Sequence, residues 1–487
     1  MSNVDLSDLR GRVRAQIITE SDPDYDTARA VHNGLIDKRP LAVVRVGQVA
    51  DVLATVNFAR DNNLDLAIRG GGHSGPGFGT VDDGILLDFS SLTGVRVNPH
   101  DGRAQVDAGA TWGDFDFATH AFGLGTTGGI VSTTGVAGLT LGGGIGYLSR
   151  KYGLSCDNLL SADVVTADGR LVTASDTDNS DLFWALRGGG GNFGVVTSFE
   201  FDLHPVDTVY AGVIIYSAED SEQVGRAYRD YIAQAPEDFG AFFGFHQGPP
   251  VPFLDEKYHG TPVCVVIGGW FGDPAEGDAR WQPLLNAAPV LGSHTGQVPY
   301  PALNSLFDVF FPKGILTYWK ADFFESLSDD VLRVAADFGS RVPSIQTANH
   351  FYPIDGAVHR VASDASAFAY RNEGFAPSIA GFWDDPANTE SNKQWVHDYW
   401  TALHPYGSGG GYINFMDADD SVRTIDNYGA NWARLREVKA KWDPDNVFHV
   451  NQNIPPAERV DVEHDSIAAS TPAPASDRAR SDSRQDH

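Results

Sequence analysis

Arg69-Gly-Gly-Gly-His-Ser-Gly75 is the stretch on which the fold turns. Three consecutive glycines let the backbone lie close against a ligand, and their successive N–H groups can cradle an anion. The stretch follows Leu64-Asp-Leu-Ala-Ile-Arg69, which reads as a strand. Before that strand come a helical spacing over Val49–Arg60 and a strand candidate at Leu41–Val46. A β-α-β opening therefore runs straight into the glycine loop. His73 stands inside this tight turn, where side-chain room is scarce, and that placement calls for a specific job.

Two further clusters follow, Gly142-Gly-Gly-Ile-Gly146 and Gly188-Gly-Gly-Gly-Asn-Phe-Gly194. Three such loops in one region predict an anionic cofactor held by backbone amides. Gly189-Gly-Gly-Asn-Phe-Gly194 satisfies Gly-x-Gly-x-x-Gly, but it leaves a helix and enters a strand. The dinucleotide fingerprint needs the reverse order, so the match is accidental. No Gly-x-x-x-x-Gly-Lys-Ser/Thr pattern is present, which leaves a P-loop nucleotidase unsupported.

Composition narrows the classes. The 487 residues carry 35 basic and 64 acidic side chains, a net charge of −29, with 51 Asp, 13 Glu and only 8 Lys. Phosphate contacts require Lys/Arg clusters, so this balance argues against nucleic acid and against an anionic membrane surface as partners. A surface rich in aspartate and poor in lysine suits a protein kept soluble in high salt. With 42% hydrophobic and 11% aromatic residues the chain can still bury a core. Cys156 and Cys264 lack disulfide or zinc spacing, and Cys156 reads as a buried structural thiol. No signal peptide or membrane-spanning run is evident, so a cytoplasmic location is expected.

The organisation predicted along the chain is an N-terminal arm or short helices (1–35), a cofactor domain (36–206) and an aromatic-rich α+β domain (207–410). A Ser/Ala/Pro/Asp-rich tail (457–487) is expected to be disordered. Asp168-Gly169 predicts a hairpin, and Thr111 predicts a helix cap.

The His73 loop resembles the flavin-attachment loop of berberine-bridge-enzyme-like FAD-linked oxidases, members of the vanillyl-alcohol-oxidase superfamily. The likeness runs from about residue 36 to 456 and includes Leu139-Thr-Leu-Gly-Gly-Gly-Ile-Gly146, Asp181–Gly194, Tyr412-Ile-Asn-Phe415 and Trp442-Asp-Pro-Asp-Asn-Val-Phe448. It implies a two-part FAD-binding domain of the PCMH type beside an α+β substrate domain built on an antiparallel sheet. It further implies that His73 bonds covalently to FAD and that Arg69, Gly70, Gly71, Gly72, Ser74 and Gly75 surround the cofactor. Val131, Ser132, Thr133, Gly135, Gly138, Gly143 and Gly146 would form a second loop, and Gly194 and Val195 a third. A C-terminal segment (411–456) would complete the FAD site, with Tyr412, Asn414, Asn451 and Asn453 approaching from it. Many relatives carry a second, cysteinyl bond; Val131 occupies that position, so a single covalent bond is expected.

The implied activity is hydride transfer from a CH–OH or CH–NH substrate, a sugar or another alcohol, with oxygen or another acceptor regenerating the cofactor. A catalytically silent flavin carrier and an NADPH-dependent flavin reductase are the competing classes. The base is open. Relatives place tyrosines where this chain has Ile145 and Phe415. Tyr147, Tyr370 and Tyr412 are the substitutes considered. Lys320 could serve as a cationic neighbour because Tyr318, Lys320 and Asp322 share a strand face. His350 and His359 are equally eligible. An aromatic set in the second domain, including Phe242, Trp270, Phe311, Trp319 and Phe323, would suit a ring-bearing substrate.

Overall fold

A computed structural model describes residues 4–458. The expected tail lies outside the described residues apart from Ala457 and Glu458. Strands Ala42–Arg45, Ile85–Asp88 and Leu66–Arg69 run parallel in that spatial order, so the Ile85–Asp88 strand sits between the two arms of the β-α-β opening. This order places Arg45 and Arg69 on either side of Asp88, which is fully buried and paired with both. Burial pushes the Asp88 carboxyl up, but the Arg69 charge and the hydrogen bonds from Arg69 and Ser90 outweigh it and hold the group below its ordinary value. The strand therefore ends at Arg69 on a fixed anchor, and the glycine loop starts from there.

Residues 4–35 form the expected short helices, Ser7–Arg12 and Tyr25–Arg29, and also a strand. Gln16–Ile18 pairs antiparallel with Ala42–Arg45 as the outer strand of this sheet. Three residues are too few to show alternation; the partner strand makes them a strand.

A second sheet is antiparallel, in the order Val95–Asn98, Arg103–Asp107, Val195–Asp202, Leu159–Val165, Leu171–Ser175. Asp168-Gly169 turns its last hairpin, with Gly169 at positive φ. Thr111 caps the helix Trp112–His120 through a capping box with Asp114.

Beyond His204–Pro205 the chain builds a seven-stranded antiparallel sheet. Its order is Val290–Pro299, Thr208–Ser217, Pro262–Trp270, Phe239–Gln247, Asn349–Pro353, Phe375–Trp383, Leu316–Ala321. Alternation along these strands divides their side chains. Phe243, Phe245, Tyr216 and Val266 pack under the helices Ser221–Ile232, Asp329–Gly339 and Thr389–Leu403. Phe242, Ile215 and Val265 point to the opposite face, which packs with Ile145, Tyr147 and Leu148 beside the second glycine cluster. After residue 410 the chain returns, and the helix Trp432–Trp442 packs on Ser180–Leu186. Lys439, completely buried, donates to Asp443 at 2.6 Å and to the carbonyls of Asn192 and Phe448, locking that return in place.

Candidate active site

A cavity of about 330 Å³ opens between the glycine loops and the seven-stranded sheet. On one side residues 69–76 line it continuously, joined by Val131, Gly135, Gly138 and Gly194. Gly71 and Gly135 lie backbone to backbone, and a Cβ on either would run into the other's main chain, so the first two loops can touch only as glycines. His73 faces the cavity with its ring stacked on His32, centroids 4.0 Å apart, and its Nε2 3.0 Å from Thr133 Oγ1. Burial and the neighbouring His32 hold His73 well below its ordinary pKa, so the imidazole is neutral and nucleophilic.

The returning C-terminal segment forms the next wall with Asn414, Asn451 and Gln452. Asn414 donates to the Leu139 carbonyl at 3.0 Å, which ties this wall to the second loop.

FAD fits these residues on two counts. Gly138 and Gly191 present bare backbone to the cavity, with nothing of the protein within reach of a Cβ on Gly138. Asn451 Oδ1 and Gln452 Nε2 are buried without a hydrogen-bond partner, as expected of groups that await a polar ring.

The opposite end is aromatic. Trp319 stacks on Phe415 at 5.7 Å, and Phe311 meets Phe382 at 4.4 Å. Ile145 lines the wall there. Polar groups at this end are few: Thr317, Ser378, His350 and Tyr352. Arg69, the one permanently charged side chain on the wall among the described residues, is paired with Asp88.

Several expected residues lie off the wall. Ser132 gives its N–H and hydroxyl to Asp308 at 2.9 and 2.5 Å. Thr133 stands behind His73. Gly143 packs on Phe368 and Tyr412, and Gly146 lets the chain pass the Gly128 carbonyl. Strand alternation turns Val196, not Val195, to the cavity. Asn453 is absent from the wall, and its buried Oδ1 has no partner.

Of the expected base candidates and their cationic neighbour, only His350 reaches the cavity wall; Tyr412, Tyr147, Tyr370, Lys320 and His359 do not. Tyr412 Oη accepts N–H bonds from Gly144, Ile145 and Asn414 at 2.9, 3.3 and 2.8 Å, so it pins the second glycine loop, and burial pushes its pKa up to about 12. Tyr147 is buried against Phe242, and its hydroxyl has no partner. Tyr370 stacks on Phe323 and donates to the Asp426 carbonyl beside a separate small crevice. Lys320 points away from the cavity. Tyr318 and Lys320 do share a face, as alternation predicts, but it is the helix-covered one, where Lys320 pairs with Asp419 and Asp420 at 2.8 Å. Thr317 and Trp319 hold the cavity face. His359 is exposed and bonded to the Glu373 carbonyl. Within the expected aromatic set, Phe311 and Trp319 reach the wall, whereas Phe242, Trp270 and Phe323 fill the cores. Cys156 is buried, and burial raises its thiol pKa.

Tyr352 and His246, the partners of the expected candidate His350, escaped notice in the sequence. Tyr352 Oη lies 3.0 Å from His350 Nδ1, and His350 Nε2 lies 2.7 Å from His246 Nε2. His350-x-Tyr352 is a period-2 signal that a strand assignment at 349–353 would have exposed.

Glycine loops, a neutral histidine and an aromatic-walled cavity define a flavin-dependent oxidoreductase. The FAD binding domain model matches residues 40–175, and the berberine and berberine-like model matches residues 411–455. An FAD-linked oxidoreductase of Dictyostelium discoideum is 34% identical over 425 residues, covering 86% of this chain and 89% of that protein. (R)-6-Hydroxynicotine oxidase of Paenarthrobacter nicotinovorans is 36% identical over 466 residues, covering 91% and 97%. Glucooligosaccharide oxidase of Acremonium strictum, with a 6-S-cysteinyl, 8α-N1-histidyl FAD, shares the fold with a TM-score of 0.79 at 22% identity, covering 93% and 99%. The chain belongs to the berberine-bridge-enzyme-like family of FAD-linked oxidoreductases. Among the described residues no helix is long and apolar enough to cross a membrane.

Proposed function

We propose that the protein oxidises a small, uncharged CH–OH or CH–NH substrate with FAD bound covalently through His73 alone. The observation that carries this reading is the neutral His73 imidazole on the cavity wall, with Nε2 already engaged by Thr133. That engagement leaves Nδ1 as the attaching nitrogen, the same ring atom as in the N1-histidyl bond of glucooligosaccharide oxidase. Val131 stands on the wall without a thiol, which supports one bond and not two.

When bound, FAD supplies the two-electron acceptor for a hydride; the protein supplies the rest. Asn414, Asn451 and Gln452 orient the cofactor. Trp319, Phe415, Phe311 and Phe382 hold the substrate and exclude water. No free carboxylate, lysine or arginine stands on this wall among the described residues, so a charged substrate would lose its hydration without a partner. A sugar with many hydroxyls would find few polar groups. The wall therefore favours an apolar alcohol or a neutral amine.

The test uses purified protein and a panel of benzyl alcohol, cinnamyl alcohol, glucose and (R)-6-hydroxynicotine under anaerobic conditions. Bleaching of the flavin by an alcohol or the amine, and flavin that stays with the polypeptide after acid denaturation, are the expected results. Flavin released in full by acid, or bleaching by glucose alone, would overturn the reading. The surplus aspartate is read as an adaptation to a salty cytoplasm. Inactivation below about 1 M salt would support that, and full stability in dilute buffer would refute it.

A further inference from the structure

We propose that Tyr352, backed by His350 and His246, is the group that takes the substrate's proton; this rests on the oxidoreductase reading above. Tyr352 and His350 lie two residues apart on the strand Asn349–Pro353 and both face the cavity. His246 projects from the neighbouring strand, Phe239–Gln247, on the same side. The three form one hydrogen-bonded line: Tyr352 Oη, 3.0 Å, His350 Nδ1; His350 Nε2, 2.7 Å, His246 Nε2.

The line is a built feature. Gly244 pairs directly with His350 across the two strands, and a Cβ there would collide with the His350 ring. Glycine at 244 is what lets that imidazole lie flat across the strand and reach His246. Phe242 and Phe307 pack against His350 at 4.5 and 5.3 Å, fixing its plane.

The chemistry follows from the proton count. Two Nε2 atoms 2.7 Å apart share one hydrogen, so the tautomers of the two rings are coupled. When His350 Nε2–H donates to His246, His350 Nδ1 is a lone pair and accepts the Tyr352 hydroxyl hydrogen. The Tyr352 oxygen then faces the cavity as an acceptor. As the substrate C–H bond breaks and its electron pair leaves with the hydrogen as hydride to FAD, the C=O or C=N bond forms from the adjacent heteroatom. The heteroatom's proton passes to Tyr352 Oη, the tyrosine proton to His350 Nδ1, and the His350 Nε2 proton to His246. The substrate loses two electrons and two hydrogens, and the proton comes to rest on His246, which is partly open to its surroundings.

Weak basicity does not bar this role. Burial holds the His246 pKa down to about 4, and burial together with His246 keeps His350 well below its usual value. The O–H of an alcohol losing hydride becomes far more acidic than imidazolium, so a weak base suffices once the hydride is moving. No carboxylate or cation perturbs the three groups: burial accounts for the shifts of His246 and Tyr352. Tyr147, stacked on Phe242, is the titratable neighbour and is neutral, burial having raised its pKa. The relay therefore remains in its accepting form through the neutral range and fails as pH falls through about 4.

The experiment compares flavin-loaded wild type, Y352F and H246F, using whichever panel compound bleaches the wild type fastest. Y352F is expected to bleach about 10²-fold or more slowly with half-saturation within about threefold, the signature of a group acting in the transition state. H246F, which removes a positioning residue, is expected to slow bleaching about tenfold, less than Y352F. Imidazole N–H NMR provides a second readout: a strongly downfield shared proton in wild type, retained in Y352F and lost in H246F. Bleaching by Y352F within about threefold of wild type would overturn the tyrosine's role, and absence of the downfield proton in wild type would overturn the relay behind it. If no panel compound bleaches the wild type, the substrate reading falls, and the relay is judged on the NMR signal alone.

Discussion

Eight consecutive residues, 69–76, line the flavin side of the cavity, whereas the substrate side takes single residues from strands about thirty positions apart: Thr317 and Trp319, His350 and Tyr352, Ser378 and Phe382. The first side is made of backbone and depends on what side chains are missing. The second is made of side chains and depends on which face of each strand turns inward. A substitution should therefore damage the flavin side through steric intrusion and the substrate side through lost chemistry.

The sharpest separation of the two is expected from Gly138→Ala. No protein atom lies within reach of the added methyl, so the fold should survive with an unchanged melting temperature for the apoprotein. The methyl points at the cofactor's space, and bound flavin, measured by absorbance at 450 nm, should fall about tenfold or more. Normal flavin content would show that the second loop does not contact the cofactor.

Next in size is Lys439→Met, which strands the buried Asp443 carboxylate. Asp443 also accepts the N–H groups of Val447 and Phe448, so the whole C-terminal wall depends on it. A loss of about 3–5 kcal/mol in denaturant unfolding is expected. A smaller loss than about 1 kcal/mol would mean that the pair is dispensable.

A milder effect concerns acid. His32, His246 and His350 titrate below their ordinary value of 6.5 because they are buried. The unfolded chain therefore binds more protons than the folded one below pH 6.5, and stability falls as pH drops from there toward about 4. Asp116 pulls the other way: burial raises its carboxyl to about 7, so acid relieves its cost even though Asn304 donates to it. Asp116→Asn should accordingly steepen the acid loss measured by thermal melts between pH 7 and 5, whereas an unchanged slope would remove Asp116 from the balance.

The smallest change is predicted for Lys320→Met. Its ammonium sits on the helix-covered face with Asp419 and Asp420, so flavin reduction by the best panel compound should stay within about twofold of wild type. A drop of about a hundredfold would return Lys320 to the chemistry.

The same contrast explains what could be read from the chain. The flavin side was legible because contiguous glycines and His73 carry their meaning locally. Thr111 and Asp168-Gly169 were legible for the same reason, since a cap and a hairpin turn are each fixed within a few residues. The substrate side was not. Alternation shows that Tyr318 and Lys320 share a face, but only packing against the helix Thr389–Leu403 decides that this face is the wrong one. His350 is singled out from His359, and Tyr352 and His246 acquire meaning, only when two strands about a hundred residues apart in sequence are paired in register. Gln16–Ile18 likewise became a strand through its partner, not through its own pattern.

Whether His73 is the sole point of flavin attachment is tested most directly by peptide mass spectrometry of the protease-digested holoenzyme. The predicted result is one flavin-bearing peptide, the one containing His73, with every other peptide unmodified and no flavin peptide in His73→Ala. A flavin adduct on any other residue, or unmodified His73 peptide as the major species in yellow protein, would contradict it.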